Sequence, residues 1–470
     1  MRHFALLLCL FCSNTLAEPV LYTHLNHVDV ADGRLKPDSW VVVDGKHITH
    51  LGTGATPKDF HGNTIDMMGR YMIPGLIDAH AHLVAGPHTL EVADGLPSVK
   101  IDSVDHITRF HALTALAYGI TSLKNPGGDP QSAQRYDQKI RSGEWLGPTA
   151  VHAGAVIQPP PFGGSAFVYP KTKEEWDSEA KRQASLGMRY FKLYVSLTLE
   201  ELGMGVAAAK RHGLTPVAHL DGVSFSDAID VGIEAFEHGF PTSTDLLPES
   251  EREAFDKRRV LGTQYTHEWF LAADFSSKEI INLVEKLAET QTMVTMTLAV
   301  PQIVRHGRDP LNVLTEAEIA FVHPDSWAAS SQFLTMGLAN WSDEDFERAS
   351  LAFEKTLEFT KMLEDAGVPL LIGTDSNGGG PFMAKEMAWH VDAGLSPMRV
   401  LELSTRDAAV AMNLGKTGLI QEGYEADIVF LKDNPLDDIR NVASVHSVLV
   451  DGRFYHQQEL VDQLQAELVE

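Results

Sequence analysis

Apolar and polar positions alternate in short blocks along most of this chain, with few long helical stripes. Residues 19–72 read as short strands separated by turns; in Trp40-Val-Val-Val-Asp-Gly45 an apolar run is stopped by Asp-Gly, a hairpin dipeptide. Near the other end, Ile428-Val-Phe-Leu431 and the run 445–450 followed by Asp451-Gly452 repeat the pattern. Strands from the two chain ends are therefore expected to form one small composite β domain. Between them lie apolar runs of strand length at 71–78, 119–123, 149–157, 189–195, 216–220, 235–237, 293–298 and 370–374. They alternate with segments of helical period, the order of a parallel α/β fold. The clearest helix has Ser342 as N-cap, Asp345 three residues on, Phe346, Phe353, Leu357 and Leu363 on one face, and Gly367 as its stop. Ordinary amphipathicity makes that stripe core.

Five of the strand-like runs carry chemistry. Pro74-Gly-Leu-Ile-Asp-Ala-His-Ala-His-Leu83 ends in His80 and His82, one residue apart. On a strand that spacing turns both imidazoles to one side, within reach of a single ion. Met188-Arg-Tyr-Phe-Lys-Leu-Tyr-Val195 sets Lys192 in a β-favouring run, and Thr215-Pro-Val-Ala-His-Leu220 supplies His219. Ala235-Phe-Glu-His-Gly239 supplies His238, and Pro369-Leu-Leu-Ile-Gly-Thr-Asp375 ends on Asp375. In a (β/α)8 barrel the C-terminal strand ends converge on one site. The fold expected is therefore α/β: a (β/α)8 TIM-type barrel plus the composite β domain. In a chain with 21 histidines any one of them is weak evidence; His88, His152, His306 and His390 are read as non-ligands. Lys192 is more telling, because an unpaired ammonium on an apolar strand is costly and a lysine that sheds its proton becomes reactive. A lysine that snorkels out or pairs with a carboxylate is the plainer alternative.

As an ordered set these motifs, together with Gly119-Ile-Thr-Ser-Leu123 and Gly418-Leu-Ile-Gln-Glu-Gly-Tyr-Glu-Ala-Asp-Ile-Val429, resemble the amidohydrolase superfamily of metal-dependent hydrolases, in its imidazolonepropionase-like and prolidase-type branch. The resemblance covers nearly all of the chain beyond its first residues. It implies two divalent metal ions, zinc being the natural choice for imidazole and carboxylate ligands. It also implies a carbon dioxide adduct, a carbamate, on Lys192. On that pattern His80, His82, Asp375 and the Lys192 carbamate hold the more buried ion, and the carbamate, His219 and His238 the more exposed one. A bridging hydroxide would attack the carbonyl, with Asp375 as the catalytic proton carrier. The activity implied is hydrolysis of an amide, C–N bond in a small molecule such as a dipeptide or N-acyl amino acid. Tyr194, two residues past Lys192, and Arg305 are candidate contacts to the substrate. Two alternatives stay open: a mononuclear deaminase or cyclic-amide hydrolase, disfavoured by Lys192 and by Leu220-Asp221-Gly222 after His219, and a non-catalytic periplasmic binding protein.

Length and charge fit this reading. The 470 residues suffice for a barrel, which takes about 250 before insertions, and a smaller second unit. A formal net charge of −26 argues against nucleic acid as a partner, since polyanion binding needs clustered Lys and Arg. Nothing selects between a monomer and a homo-oligomer. Arg2 and His3 precede an apolar run at 4–12, and Thr15-Leu-Ala17 offers small residues for a signal peptidase, so 1–17 reads as a signal peptide and the mature protein as periplasmic or secreted, with no membrane anchor. Both cysteines, Cys9 and Cys12, fall inside that segment. The domain boundaries expected are then 18–72 and 418–456 for the β domain, 73–417 for the barrel, and 457–470 as a tail. Insertions at 158–164 and 301–341 are the specificity-loop candidates.

Overall fold

The computed structural model describes residues 18–93, 96–160, 162–258, 263–305 and 313–469. The expected signal peptide, both cysteines and His306 lie outside the described residues.

Strands from both chain ends share one mixed sheet. Val20–Asp29, Arg34–Asp44 and His47–Thr53 pair antiparallel; Asn63–Asp66 and Tyr71–Pro74 run parallel to the first; Ile428–Leu431, Val445–Val450 and Arg453–His456 extend the far side. Both expected hairpins form. In the second, Val450 faces Arg453 across a two-residue turn with positive φ at Asp451 (51°) and Gly452 (74°), the geometry of a type I′ turn. Tyr22, Leu25, Ile48, Met72 and Phe430 fill the space on one face of this sheet.

The second set of strands is parallel throughout. It consists of β1 (Leu76–Asp78), β2 (Ile120–Asn125), β3 (Thr149–His152), β4 (Tyr190–Leu193), β5 (Thr215–Ala218), β6 (Ala235–Glu237), β7 (Met293–Thr295) and β8 (Leu370–Leu371). Consecutive members are ladder neighbours from β1 to β3 and from β4 to β8. Between β3 and β4 the link is the Ala153–Tyr190 bridge and Arg189 N–H to His152 O at 2.9 Å. Past the end of β8 the chain returns to β1: Ala79 N–H donates to Ile372 O (2.8 Å) and Asp375 N–H to His80 O (2.7 Å). All eight strands thus present their C-terminal ends to the same side.

Three expectations need correction. The run 71–78 is two strands, not one: at Gly75 the chain leaves the mixed sheet, its N–H donating to Asp427 O at 2.8 Å, and Thr121 leaves no room for a Cβ there. The run 149–157 also divides, because Ala153 N–H turns to Asn125 O and the Gln183 side chain fills the space a Cβ on Gly154 would need. Residues 457–470 are not a loose tail: Gln457–Ala466 is a helix whose Leu460 and Leu464 are fully buried, followed by an Arg109–Glu467 ion pair at 2.7 Å. Finally, the 158–164 insertion includes a short strand. Phe162–Gly163 pairs with Leu96–Ile101, which forms a hairpin with His88–Ala93 just after the His80/His82 motif.

The insertion at 301–341 contains helices. The first to matter for the site is α1 (Ala299–Arg305), followed by α2 (Pro324–Gly337), and then comes α3 (Asp343–Asp365). Helix α3 starts as expected, with Ser342 and Asp345 forming a reciprocal capping box. Phe353 and Leu363 are buried in the main core, whereas Phe346 packs into a separate small cluster with Leu338, Trp341 and Ala349. Beyond β8 runs α4 (Pro381–Asp392), which closes against α1.

Candidate metal centre

His80 and Asp375 meet because β1 and β8 are neighbours. The Asp375 N–H to His80 O bond fixes their register, and Gly373 keeps the approach close, since a Cβ there would strike His80. Asp375 Oδ1 lies 3.0 Å from His80 Nε2 and 3.1 Å from His82 Nε2. One donor atom from each of these three residues falls within 4.8 Å of the others, a spacing one ion could span.

The other ring nitrogen of His80 is engaged behind the site. His80 Nδ1 makes a short contact with Glu237 Oε2, and Glu237 Oε1 accepts from Lys124 Nζ at 2.5 Å. A carboxylate on Nδ1 fixes the tautomer and leaves Nε2 as the ligand atom. All three side chains are buried: Glu237 is wholly inaccessible and Lys124 is 3% exposed. Burial alone would raise the Glu237 carboxyl, yet the Lys124 and His80 charges hold it well below its ordinary range. For His80 burial pushes down, and the Glu237 and Asp375 carboxylates more than reverse it. Asp375 is likewise held low by His238 and His80 against the effect of burial.

Beside this group lie His238, His219, Tyr194 and Lys192. The His238 ring sits 4.7 Å from that of His80 and 4.2 Å from that of His219, with His238 Nδ1 3.9 Å from Asp375 Oδ2. Tyr194 packs edge-on against His219 at 4.7 Å, and Lys192 Nζ lies 5.6 Å from the Tyr194 ring centre. Burial drives His219 down to about 3, with the Lys192 charge adding to it, and drives His238 well below the usual histidine range. Burial also lowers Lys192 to about 8, against the pull of the Glu237 carboxylate. Among the described residues, Lys192 Nζ and His219 Nδ1 are buried polar atoms without a hydrogen-bond partner. Such atoms cost about 1–3 kcal/mol each when unsatisfied. A neutral imidazole nitrogen and a lysine nitrogen whose proton is more easily lost than usual, both bare beside a carboxylate, fit a divalent cation.

The structure therefore gathers His80, His82, Asp375, His219, His238 and Lys192 at the C-terminal ends of β1, β8, β5, β6 and β4, with Tyr194 beside them. It does not bring Arg305 to the group. That guanidinium, at the end of α1, pairs with Glu354 Oε1 at 3.4 Å and lies over the Phe353 ring, both on α3. His152 bonds Asp137 at 3.1 Å and His390 bonds the Glu386 carbonyl one turn back at 2.9 Å, whereas His88 stacks on Phe333 and feels the charges of His82 and Asp375.

Four supporting residues were not singled out from the sequence. Lys124 could have been found by the argument used for Lys192, a charge in an apolar run, and Glu237 as an acid beside a strand-end histidine. Asp78, at the end of β1, accepts from His80 N–H (2.9 Å), Thr374 N–H (3.1 Å) and the Thr374 hydroxyl (2.8 Å), tying the two strands together. The Thr297 hydroxyl lies 2.7 Å from His238 Nδ1. His238, Thr297 and Asp375, just past the ends of β6, β7 and β8, all have positive φ, at 70°, 52° and 51°. Left-handed conformations at three non-glycine residues around one site are strain of the kind that gathers at functional centres.

Comparison with known proteins places these features in a family. Residues 71–455 match the amidohydrolase family. A 78-residue stretch is 40% identical to ochratoxinase from Aspergillus niger, covering 16% of this chain and 16% of that protein. The imidazolonepropionase of Streptomyces avermitilis is 24% identical over 218 residues, which is 42% of this chain and 52% of that one. The matched segments thus span from about a sixth to half of these curated relatives. In overall fold the chain is similar to a Xaa-Pro dipeptidase solved with methionine in its active site, at a TM-score of 0.66 and 19% identity over 93% of this chain and 100% of that one. With most of its length matched, this chain belongs to the amidohydrolase family.

Proposed function

We propose that the protein is a binuclear metal-dependent amidohydrolase that cleaves the C–N bond of a small amide, a dipeptide or N-acyl amino acid. We read the eight parallel strands as a (β/α)8 barrel that presents the site, and the sheet built from both chain ends as its second domain. The observation that carries the binuclear reading is the buried pair of unpartnered nitrogens, Lys192 Nζ and His219 Nδ1, beside a group that already has three ligand-type residues. His80, His82 and Asp375 would hold one ion, and His219 with His238 the second, a carbamylated Lys192 serving both. Bound there, divalent ions would supply Lewis acidity and a water of lowered pKa.

The chain's own residues do the rest. Asp375, with Oδ1 between two imidazoles and Oδ2 facing His238, is placed to take the proton of the attacking water and pass it to the leaving amine. Its low proton affinity at rest suits a base that starts ionised. Lys124 and Glu237 hold His80 in one tautomer. Tyr194, half-buried with its ring against His219, is the candidate contact to a carbonyl or carboxylate oxygen of the substrate. Arg305 would have to leave Glu354 to do the same, so we assign it to the packing of α1 on α3. The names of the relatives agree on amide-type chemistry: Xaa-Pro dipeptidase, ochratoxinase, imidazolonepropionase.

A second reading is a mononuclear cyclic-amide hydrolase, favoured by the compactness of His80, His82 and Asp375 as a three-ligand group and by the imidazolonepropionase matches. A hydrolysis panel of dipeptides, N-acyl amino acids, their amides, lactams and lactones tests the first reading. Turnover of the acyclic amides supports it. Turnover confined to cyclic substrates would transfer the assignment to the second.

A further inference from the structure

Thr297 is a β-branched residue in the left-handed region, with φ of 52°, and it is fully buried. Such a conformation persists only where neighbouring contacts enforce it. Two sets of contacts do so here. On one side, the hydroxyl lies 2.7 Å from Met296 O and 2.7 Å from His238 Nδ1. A carbonyl oxygen can only accept, so the single hydroxyl proton goes to Met296 O. The His238 Nδ1–H must then be the donor to Thr297, and His238 Nε2 is left as a bare lone pair. On the other side, the next two N–H groups, Leu298 and Ala299, each donate to a separate oxygen of Glu386 at 2.8 Å. Glu386 lies on α4 and is wholly inaccessible to solvent, as are Thr297, Met296 and Leu298.

We propose that Glu386 and Thr297 act together as positioning residues for His238: Glu386 clamps the start of α1, the clamp holds Thr297 in its left-handed conformation, and the Thr297 hydroxyl fixes the tautomer and ring direction of His238. The arrangement mirrors the Lys124–Glu237–His80 chain on the other side of the site, with a neutral hydroxyl where His80 has a carboxylate. It also couples the ends of β6 and β7 to the helix that follows Asp375. A fully buried residue 88 positions from Leu298, whose N–H it accepts, thereby controls one ligand of the proposed centre. The inference rests on the reading of His238 as a ligand.

The test uses the full chain, stripped of metal and titrated with zinc in competition with a chromophoric chelator, and compares wild type with Thr297→Val, Thr297→Ser and Glu386→Gln. The valine is close to isosteric but has no hydroxyl, and the serine restores it. The glutamine replaces one acceptor oxygen with a donor that opposes an N–H. Thr297→Val and Glu386→Gln should weaken one of the two zinc sites by about 10–100-fold, the usual scale for an outer partner of a ligand histidine. The other site should keep its affinity, and Thr297→Ser should bind both ions as wild type does. Thermal unfolding of the metal-free proteins serves as the structural control, since a role in packing alone would lower that midpoint and leave zinc affinity intact. Should Glu386→Gln fail to fold, the Thr297 pair decides the matter. Wild-type zinc affinities in Thr297→Val, or equal losses in the valine and serine variants, would overturn the relay. Failure of the wild-type protein to bind zinc would remove the two-zinc reading of the site and the relay with it.

Discussion

Replacing Lys124 by Met removes one half of an ion pair that has almost no access to water. Lys124 Nζ donates to Glu237 Oε1 at 2.5 Å, with the two side chains 3% and 0% exposed, so solvent screening gives little relief. Methionine nearly matches the volume of the lysine stem, which keeps the cavity contribution small. What remains is a buried carboxylate that has lost its hydrogen-bonded cation and keeps His80 and, at longer range, the Lys192 charge. Breaking a buried pair from one side costs about 3–5 kcal/mol, against roughly 0–1 kcal/mol for an exposed pair. The expected loss in the metal-free protein is accordingly about 3–5 kcal/mol, read as the shift in urea midpoint multiplied by the measured m value. Adding Glu237→Gln to the same chain should return part of that loss, because the uncompensated charge is then gone. A Lys124→Met loss under about 1 kcal/mol would refute the reasoning, placing this pair with surface ion pairs.

Other expectations follow from single positions. Asp427, buried beside Glu425 and Asp451 with Lys46 nearby, is raised from 3.8 to about 7, chiefly by burial. Its folded form thus prefers the proton, so stability is lost as pH rises from about 4 to 7, by on the order of 4 kcal/mol; Asp427→Asn should flatten that part of the urea midpoint profile, and an unchanged slope would count against the shift. Gln291 ends the helix Lys278–Thr290 in the left-handed conformation, with φ of 53°, and is exposed. Gln291→Gly should raise stability by roughly 0.5–1 kcal/mol, seen as a higher melting temperature, unless the bond from its side chain to Ala288 O matters more than the strain. Lys192→Ala should lose metal content, and a short carboxylic acid should restore part of it by occupying the carbamate position; an alanine variant with full metal content would make Lys192 a structural residue.

What was legible in the sequence was local. His80 and His82 lie two and four residues past the end of β1, Ser342 and Asp345 share one helix turn, and the Asp-Gly turns lie between the strands they join, so spacing alone exposes them. The candidate ligands were legible because each lies in or at the end of a short apolar run. The supporting network was not, since its partners are set by tertiary neighbours: Lys124 and Glu237 lie 113 residues apart, and Leu298 and Glu386 lie 88 apart. Thr297 contributes through a backbone conformation that no residue-type pattern announces for a β-branched side chain. The break at Gly75 was hidden for a related reason. The run 71–78 is uniformly apolar, and only the close approach of Thr121 and the bond to Asp427 show where one sheet ends and the other begins. The Arg305 partner was not legible, because Glu354 lies on a helix about fifty residues further along the chain.

The central claim is that six strand-end residues hold two metal ions. The most direct measurement is metal content by plasma mass spectrometry on metal-replete, gel-filtered protein, with concentration fixed by amino-acid analysis. The account predicts close to two divalent ions per chain, because the unpartnered nitrogens of Lys192 and His219 add a second site to that of His80, His82 and Asp375. A reproducible value near one would contradict it and leave only the three-ligand site.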